Sequence, residues 1–166
     1  ETGSDFAGRQ TTSKSTSCFA RCWSGSLTKF QSETQSVVAT STKEAEFYSL
    51  CSATSAGLGM QGVFQDLGLI VEANLHSDAS AGIALAIRRG LGRCKHIAVQ
   101  YLWIQQIFAD AVAKLHKVGT DKNRSDAGTK HLTCQRMRYL LGLMNLYFES
   151  GDHSLALRVG AFVKAM

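Results

Sequence analysis

The sequence contains no proline in 166 residues and few acids, 13 in all. Without proline, the ends of helices and strands must be read from glycine, capping residues and hydrophobic periodicity. No apolar run is long enough to span a bilayer, because the longest, 139–148, is interrupted by Asn145. The sequence does not open with a basic segment followed by an apolar one, which is the pattern of a secretory leader. These absences predict a soluble intracellular protein with no membrane partner.

Cysteine pairs of the kind that bind zinc are also absent. The five cysteines are odd in number and include no CxxC pair, so neither a zinc site nor a disulfide framework is predicted. We expect reduced thiols that are mostly buried.

The residues that are present describe a globular chain with a basic surface. Hydrophobic residues make up 45% and charged residues 19%, which is typical of a folded domain, and the length suits one domain. Eighteen basic residues against 13 acidic ones give a net charge of +5. That excess favours an anionic partner such as nucleic acid.

Strands are predicted first and a long helix second. The first forty residues are rich in Ser, Thr and Gly and predict two or three antiparallel strands, with a hairpin turn at Ser24-Gly25-Ser26. Ser41 followed by Glu44 has the spacing of a capping box and predicts a helix start. That helix should end near 66–68.

The rest of the chain alternates strands and helices, which predicts a mixed sheet with helices packed on its faces. The predicted elements are a strand at 73–77 that runs into Asp78, a short helix that Ser80 caps and that ends at 87, an amphipathic helix along Ile97, Tyr101, Ile104 and Phe108, a strand at 112–118, and a last helix from about 125 or 131 to 148.

Three carboxylates stand at positions that such a fold could bring together. Glu46 lies near the start of the long helix, Asp78 at the end of a strand, and Asp126 at the start of the last helix. Carboxylates clustered at one sheet edge suit Mg²⁺, and two such ions can promote phosphodiester hydrolysis. Each acid also has a simpler explanation: Glu44 and Glu46 favour a helix N-terminus, and Asp126 could be an N-cap.

Six segments in a fixed order resemble one protein family. They are Ser4-Asp5-Phe6-Ala7-Gly8, Thr12-Ser13-Lys14-Ser15-Thr16-Ser17, Ser41-Thr42-Lys43-Glu44-Ala45-Glu46-Phe47, Ser77-Asp78-Ala79-Ser80-Ala81, Arg93-Cys94-Lys95-His96-Ile97 and Ser125-Asp126-Ala127-Gly128-Thr129-Lys130. They are similar to D-x-D-(W/F)-A-G, R-K-S-T-S, S-(S/T)-x-E-A-E-(Y/F), D-(N/S)-x-(A/S)-A, R-(S/T)-K-H-I and A-D-x-x-T-K of the ribonuclease H domain in copia-type retrotransposon Pol polyproteins.

The resemblance implies an α/β fold of ribonuclease H type, with a mixed sheet of about five strands and helices on both faces. The domain would cover residues 1–148, with an incomplete first strand, and 149–166 would be a C-terminal tail. The implied reaction is hydrolysis of the RNA strand of an RNA–DNA hybrid during reverse transcription. Glu46, Asp78 and Asp126 would be catalytic ligands of two Mg²⁺ or Mn²⁺ ions.

The resemblance also implies partners and a location. The partners would be the hybrid, reverse transcriptase and other segments of the polyprotein, in a cytoplasmic retrotransposon particle or the nucleus. The basic stretch would contact nucleic acid through Arg88, Arg89, Arg93, Lys95 and His96. A solvated run of charge is the simpler explanation of these residues, and His96 could equally be a capping or packing histidine.

One departure from the family affects the expected chemistry. The family's first catalytic Asp falls on Gly3, and Asp5, the second acid of that motif, is only an uncertain stand-in. The sequence could be a fragment, residues 1–3 could be foreign to it, or the domain could be decaying. The alternative function is therefore an inactive remnant that still binds nucleic acid, and a third possibility is a fragment with no function of its own.

Overall fold

The computed structural model describes residues 1–8, 11–90, 92, 97 and 101–147. They form a mixed five-stranded sheet in the order β3-β2-β1-β4-β5. The strands are β1 (Thr2–Ser4), β2 (Thr16–Trp23), β3 (Ser26–Thr34), β4 (Ala73–Ser77) and β5 (Ala113–Lys117). The helices are α1 (Thr42–Asp66), α2 (Ser80–Ile87), α3 (Trp103–Ala109), a 3₁₀ helix (Arg124–Gly128) and α4 (Cys134–Gly142). The predicted α/β class is confirmed.

The central strand β1 joins an antiparallel half of the sheet to a parallel half. Thr2 pairs with Phe19 of β2 in antiparallel register and with Ser77 of β4 in parallel register. β2 and β3 form an antiparallel hairpin, whereas β4 and β5 run parallel. Parallel strands end at the same edge of a sheet, so the residues that follow β1 and β4 are brought to one edge.

The hairpin turn and the helix start formed where the sequence predicted them. Ser24 and Gly25 have φ values of 49° and 83°, and two positive φ values suit the twist of a tight hairpin. At the start of α1, the Glu44 backbone N–H donates to Ser41 Oγ at 3.3 Å, while Glu44 Oε2 accepts from the Thr40 N–H at 2.8 Å. The end of α1 at Asp66 also agrees with the prediction.

Both faces of the sheet carry helices, as expected. Successive side chains of a strand point to opposite faces. The Thr2 hydroxyl lies 2.7 Å from Ser49 Oγ of α1, whereas a Cβ built on Gly3 would point at Ser125 of the 3₁₀ helix. The main core lies between α1, α2, α3 and the sheet, and its large buried members include Phe47, Tyr48, Leu50, Leu75, Leu85 and Ile104.

Three predicted boundaries were wrong. The last helix is split into the 3₁₀ helix and α4, because Asn123 and Thr133 each cap a separate start with a side-chain oxygen. Ser80 is the first residue of α2 rather than its cap, which is Ala79. The predicted helix included Ile97 and Tyr101, but α3 begins only at Trp103, with Leu102 as its N-cap. Residues 98–100 and the predicted tail at 149–166 lie outside the described residues.

None of the helices in the described part of the chain has the length and apolar character needed to cross a membrane.

The positive φ of Gly25 makes a testable prediction for the hairpin. Gly25→Ala should lower the free energy of unfolding by about 1–2 kcal/mol, because a Cβ is disfavoured in left-handed backbone. Gly59→Ala is the matched control, because Gly59 is exposed within α1 and a Cβ there meets nothing within 4 Å. This substitution should raise the free energy of unfolding by roughly 0.5–1 kcal/mol. Urea unfolding measures both, and a stabilising Gly25→Ala would contradict this account of the turn.

Candidate functional site

Two of the three predicted carboxylates, Glu46 and Asp78, lie at the sheet edge at which β1 and β4 end. Asp78 directly follows β4, and Glu46 is in α1 beside Ser4, the last residue of β1. Asp126 is in the first turn of the 3₁₀ helix, on the opposite face of the sheet from α1. The negative charge of each of the three carboxylates is compensated in a different way.

One carboxylate oxygen of Glu46 is buried at this edge. Its Oε2 is buried and has no hydrogen-bond partner within the described part of the chain. Burial raises the pKa of Glu46 to about 7, and the negative charge of Asp78 adds to the rise. The polar groups of Ser4 and the positive charge of Lys130 oppose it. The pKa of Glu46 is therefore brought close to neutral pH.

Asp78 is compensated by an amide. Asn123 Nδ2 donates to Asp78 Oδ1 at 2.9 Å and also lies 3.3 Å from the Thr2 carbonyl oxygen. Asn123 is fully buried, so its side chain holds a fixed position between the end of β4 and the start of β1. A hydrogen bond to a charged group in a buried setting is stronger than one between neutral groups.

Asp126 is compensated by a lysine. Its Oδ1 lies 2.8 Å from Lys130 Nζ in an i,i+4 ion pair, and the Asp126 side chain is only 7% exposed. Lys130 also lowers the pKa of Glu46, so its charge acts on both acids. A pair with one buried partner is less screened by solvent than an ordinary surface ion pair.

Asp5 faces a different part of the structure. Its Oδ1 accepts a hydrogen bond from the Thr16 N–H, and its own N–H donates to the Thr16 carbonyl at 3.0 Å. The carboxylate therefore braces the connection between β1 and β2. Among the contacts of the described residues, none joins Asp5 to Glu46 or Asp78.

The fit of a divalent metal to this edge is incomplete. Within residues 1–8, 11–90, 92, 97 and 101–147, no group of three or more His, Cys, Asp or Glu is arranged to share a metal ion. Glu46 and Asp78 offer two neighbouring carboxylates, but Asp126 is paired with Lys130 and Gly3 contributes no side chain. The described residues do not assemble a full two-metal ligand set, and the ligand roles stay predictions.

The basic stretch is described only at its beginning. Arg89 is exposed and Arg88 is half-buried, just after α2. Gln105 anchors this segment: its Oε1 accepts from the Gly90 N–H at 2.9 Å and its Nε2 donates to the Leu85 carbonyl at 3.0 Å. The other predicted nucleic-acid contacts, Arg93, Lys95 and His96, lie outside the described residues.

Sequence reasoning missed the contacts that Asn123, Ser125 and Gln105 make at the site and at the basic loop. Asn123 could have been found, because an Asn ahead of a helical turn is a capping signal, and its Oδ1 does accept from the Ser125 N–H. Ser125 and Gln105 gave no such signal. Their roles depend on contacts with residues that are distant in the sequence.

Comparison with known proteins places the chain beside one long polyprotein. It is similar to the Retrovirus-related Pol polyprotein from transposon TNT 1-94 of Nicotiana tabacum, with 32% identity over 131 residues. The matched region is 78% of this chain and 10% of the polyprotein, so the chain spans about a tenth of its relative's length. No family model matches the chain, and no solved structure matches it.

The raised pKa of Glu46 predicts a pH-dependent stability. The folded chain keeps this proton up to about pH 7, whereas an unperturbed Glu releases it near its ordinary pKa of 4.5. The Glu46 contribution to the free energy of unfolding therefore falls as the pH rises through that interval, by roughly 3 kcal/mol in total. Glu46→Gln should be more stable than the native chain above about pH 8 and similar to it below about pH 4.

Urea unfolding at several pH values tests this, with Glu33→Gln as the matched control because Glu33 is exposed. The control should follow the native chain at every pH. If the stability of Glu46→Gln also followed that of the native chain at every pH, burial would not raise the pKa of Glu46, and this description of the buried edge would be wrong.

Proposed function

Since the chain is a relative of the copia-type Pol polyproteins of retrotransposons, we propose that it is the ribonuclease H-like module of such a polyprotein. In this proposal, the module binds an RNA–DNA hybrid and does not cut it. The hybrid arises in reverse transcription, so reverse transcriptase and other Pol segments are its proposed partners. A cytoplasmic retrotransposon particle or the nucleus is the proposed location.

The environment of Gly3 is the observation that carries this proposal. The resemblance puts the first catalytic Asp at this position, and Gly3 is buried in the central strand with Ser125 pressed against it. A two-metal site relies on carboxylates to hold its ions between attacking and leaving oxygens. Without the carboxylate at position 3, and with Asp126 bound to Lys130, the ions would be poorly held.

Positive charge supports the binding half of the proposal. The chain carries a net charge of +5, and the exposed Arg89 and its neighbour Arg88 begin the stretch that continues to Arg93, Lys95 and His96. Gln105 fixes the backbone at the start of this stretch. Contacts between such residues and phosphates supply affinity that does not depend on base sequence.

Metal-dependent cleavage of the RNA strand is the second candidate function. The observation in its favour is Glu46 Oε2, which is buried beside Asp78 and has no hydrogen-bond partner within the described residues. Under this candidate, Glu46, Asp78 and Asp126 would be the ligands, with Asp5 as a stand-in for the first acid. Bound Mg²⁺ or Mn²⁺ would supply the charge that activates water.

Cleavage of a labelled RNA–DNA hybrid separates the two candidates. The native chain and Asp78→Asn are compared with Mg²⁺, with Mn²⁺ and with EDTA, beside an active ribonuclease H as a positive control. We expect salt-sensitive binding by both chains and no metal-dependent cutting by either. RNA-strand cutting that requires the metal and is lost in Asp78→Asn would overturn the proposal and establish the hydrolase.

The basic stretch gives a second prediction. Arg89→Gln should weaken hybrid binding several-fold and reduce the slope of log Kd against log salt by about 0.7–0.9 if Arg89 contacts one phosphate. Lys114→Gln removes the same charge from β5, where Lys114 pairs with Glu72 at 2.7 Å, and should change neither quantity. Fluorescence anisotropy at several salt concentrations measures both. Equal effects of the two substitutions would show that only net charge matters.

A further inference from the structure

The space beside Gly3 is already filled. A Cβ built on Gly3 would lie 2.7 Å from Ser125 Oγ and 3.2 Å from Asn123 Nδ2. The first distance is shorter than real Cβ contacts allow, and the second is tight. Any side chain at position 3 therefore requires the Ser125 hydroxyl to leave its present place.

The Ser125 hydroxyl is held where it is. Ser125 is fully buried, and its Oγ donates to Asn123 Oδ1 at 2.7 Å. The other end of the Asn123 amide donates to Asp78 Oδ1 at 2.9 Å. Moving Ser125 Oγ would remove one of the bonds that orient the amide on Asp78, and buried polar groups without partners are costly.

We infer that the side chains of Ser125 and Asn123 form a plug that occupies the space of the first carboxylate. In this plug, Asn123 compensates the negative charge of Asp78. A side chain at position 3 and a hydroxyl at position 125 therefore exclude each other. The inference rests on the proposed function, because it explains how the domain folds with this acid missing. It adds that Gly3→Asp alone does not rebuild the site, whereas Gly3→Asp combined with Ser125→Ala does.

Alanine at position 125 is compatible with a side chain at position 3. The Ser125 Cβ lies 3.8 Å from the Cβ built on Gly3, which is an ordinary van der Waals distance. Removing Oγ leaves the Asn123 Oδ1 with the Ser125 N–H at 3.3 Å. Asn123 Nδ2, 3.2 Å from the built Cβ, must then move by only a few tenths of an ångström, so Asn123 can stay directed toward Asp78 while position 3 gains a side chain.

A double-mutant cycle in stability tests the exclusion without nucleic acid or metal. Gly3→Ala adds only the Cβ, so the native chain, Gly3→Ala, Ser125→Ala and the double variant are unfolded with urea in EDTA. We expect Gly3→Ala to lower the unfolding midpoint clearly, and to lower it by roughly half as much or less in the Ser125→Ala background. If Gly3→Ala folds only when it is combined with Ser125→Ala, the plug is supported as well. Additive shifts, or failure to fold in both backgrounds, would overturn the plug.

Metal binding tests the rebuilding of the site. Mn²⁺ binding, followed by electron paramagnetic resonance, should be about tenfold tighter or more in Gly3→Asp/Ser125→Ala than in either single variant. Equal affinity in Gly3→Asp and the double variant would contradict the plug. Cutting of the hybrid by the native chain would instead refute the proposed function and leave the stability cycle standing, so the two failures are distinguishable.

Discussion

Buried carboxylates that lie close together repel one another unless a proton, a cation or a hydrogen-bond donor compensates each of them. Much of the sheet edge at the ends of β1 and β4 is arranged around this constraint. The amide of Asn123 binds Asp78, and the ammonium of Lys130 binds Asp126. Glu46 is left without a hydrogen-bond donor for Oε2 within the described residues, and burial shifts its pKa to about 7. In the proposed binding module, these groups of the chain would neutralise the acids in place of metal ions.

The same arrangement links the sheet to the 3₁₀ helix. Asn123 caps that helix through Oδ1 and reaches Asp78 through Nδ2, so one side chain serves folding and charge compensation together. Ser125 follows on the same short helix and packs against Gly3 in the central strand. A substitution at Gly3 would therefore affect the hydrogen bonds of Asp78, and a substitution at Asp78 would affect the packing at Gly3. For this reason, Gly3, Ser125 and Asn123 are best understood as a single structural unit.

Local signals were enough to predict most of the fold from the sequence. The Ser24-Gly25 turn, the Ser41–Glu44 cap and the strand that ends before Asp78 are each specified by neighbouring residues. The last helix was predicted to start at about 125 or 131, whereas the caps Asn123 and Thr133 begin two separate helices. At the site, the resemblance singled out the acids and included Lys130, but not the amide of Asn123 that binds Asp78. The Asn123–Asp78 bond joins residues 45 positions apart, and no local pattern reveals such a contact.

Unfolding of the native chain in the presence and absence of divalent metal tests the central claim most directly. An ion that binds the folded state alone raises its stability in proportion to the logarithm of ion concentration over Kd. If the acids at this edge are compensated by Asn123, Lys130 and a proton, the free energy of unfolding in excess Mg²⁺ should equal that in EDTA at matched ionic strength. A clear rise with Mg²⁺ that Asp78→Asn abolishes would contradict the account, because it would show a metal site that the native chain can fill.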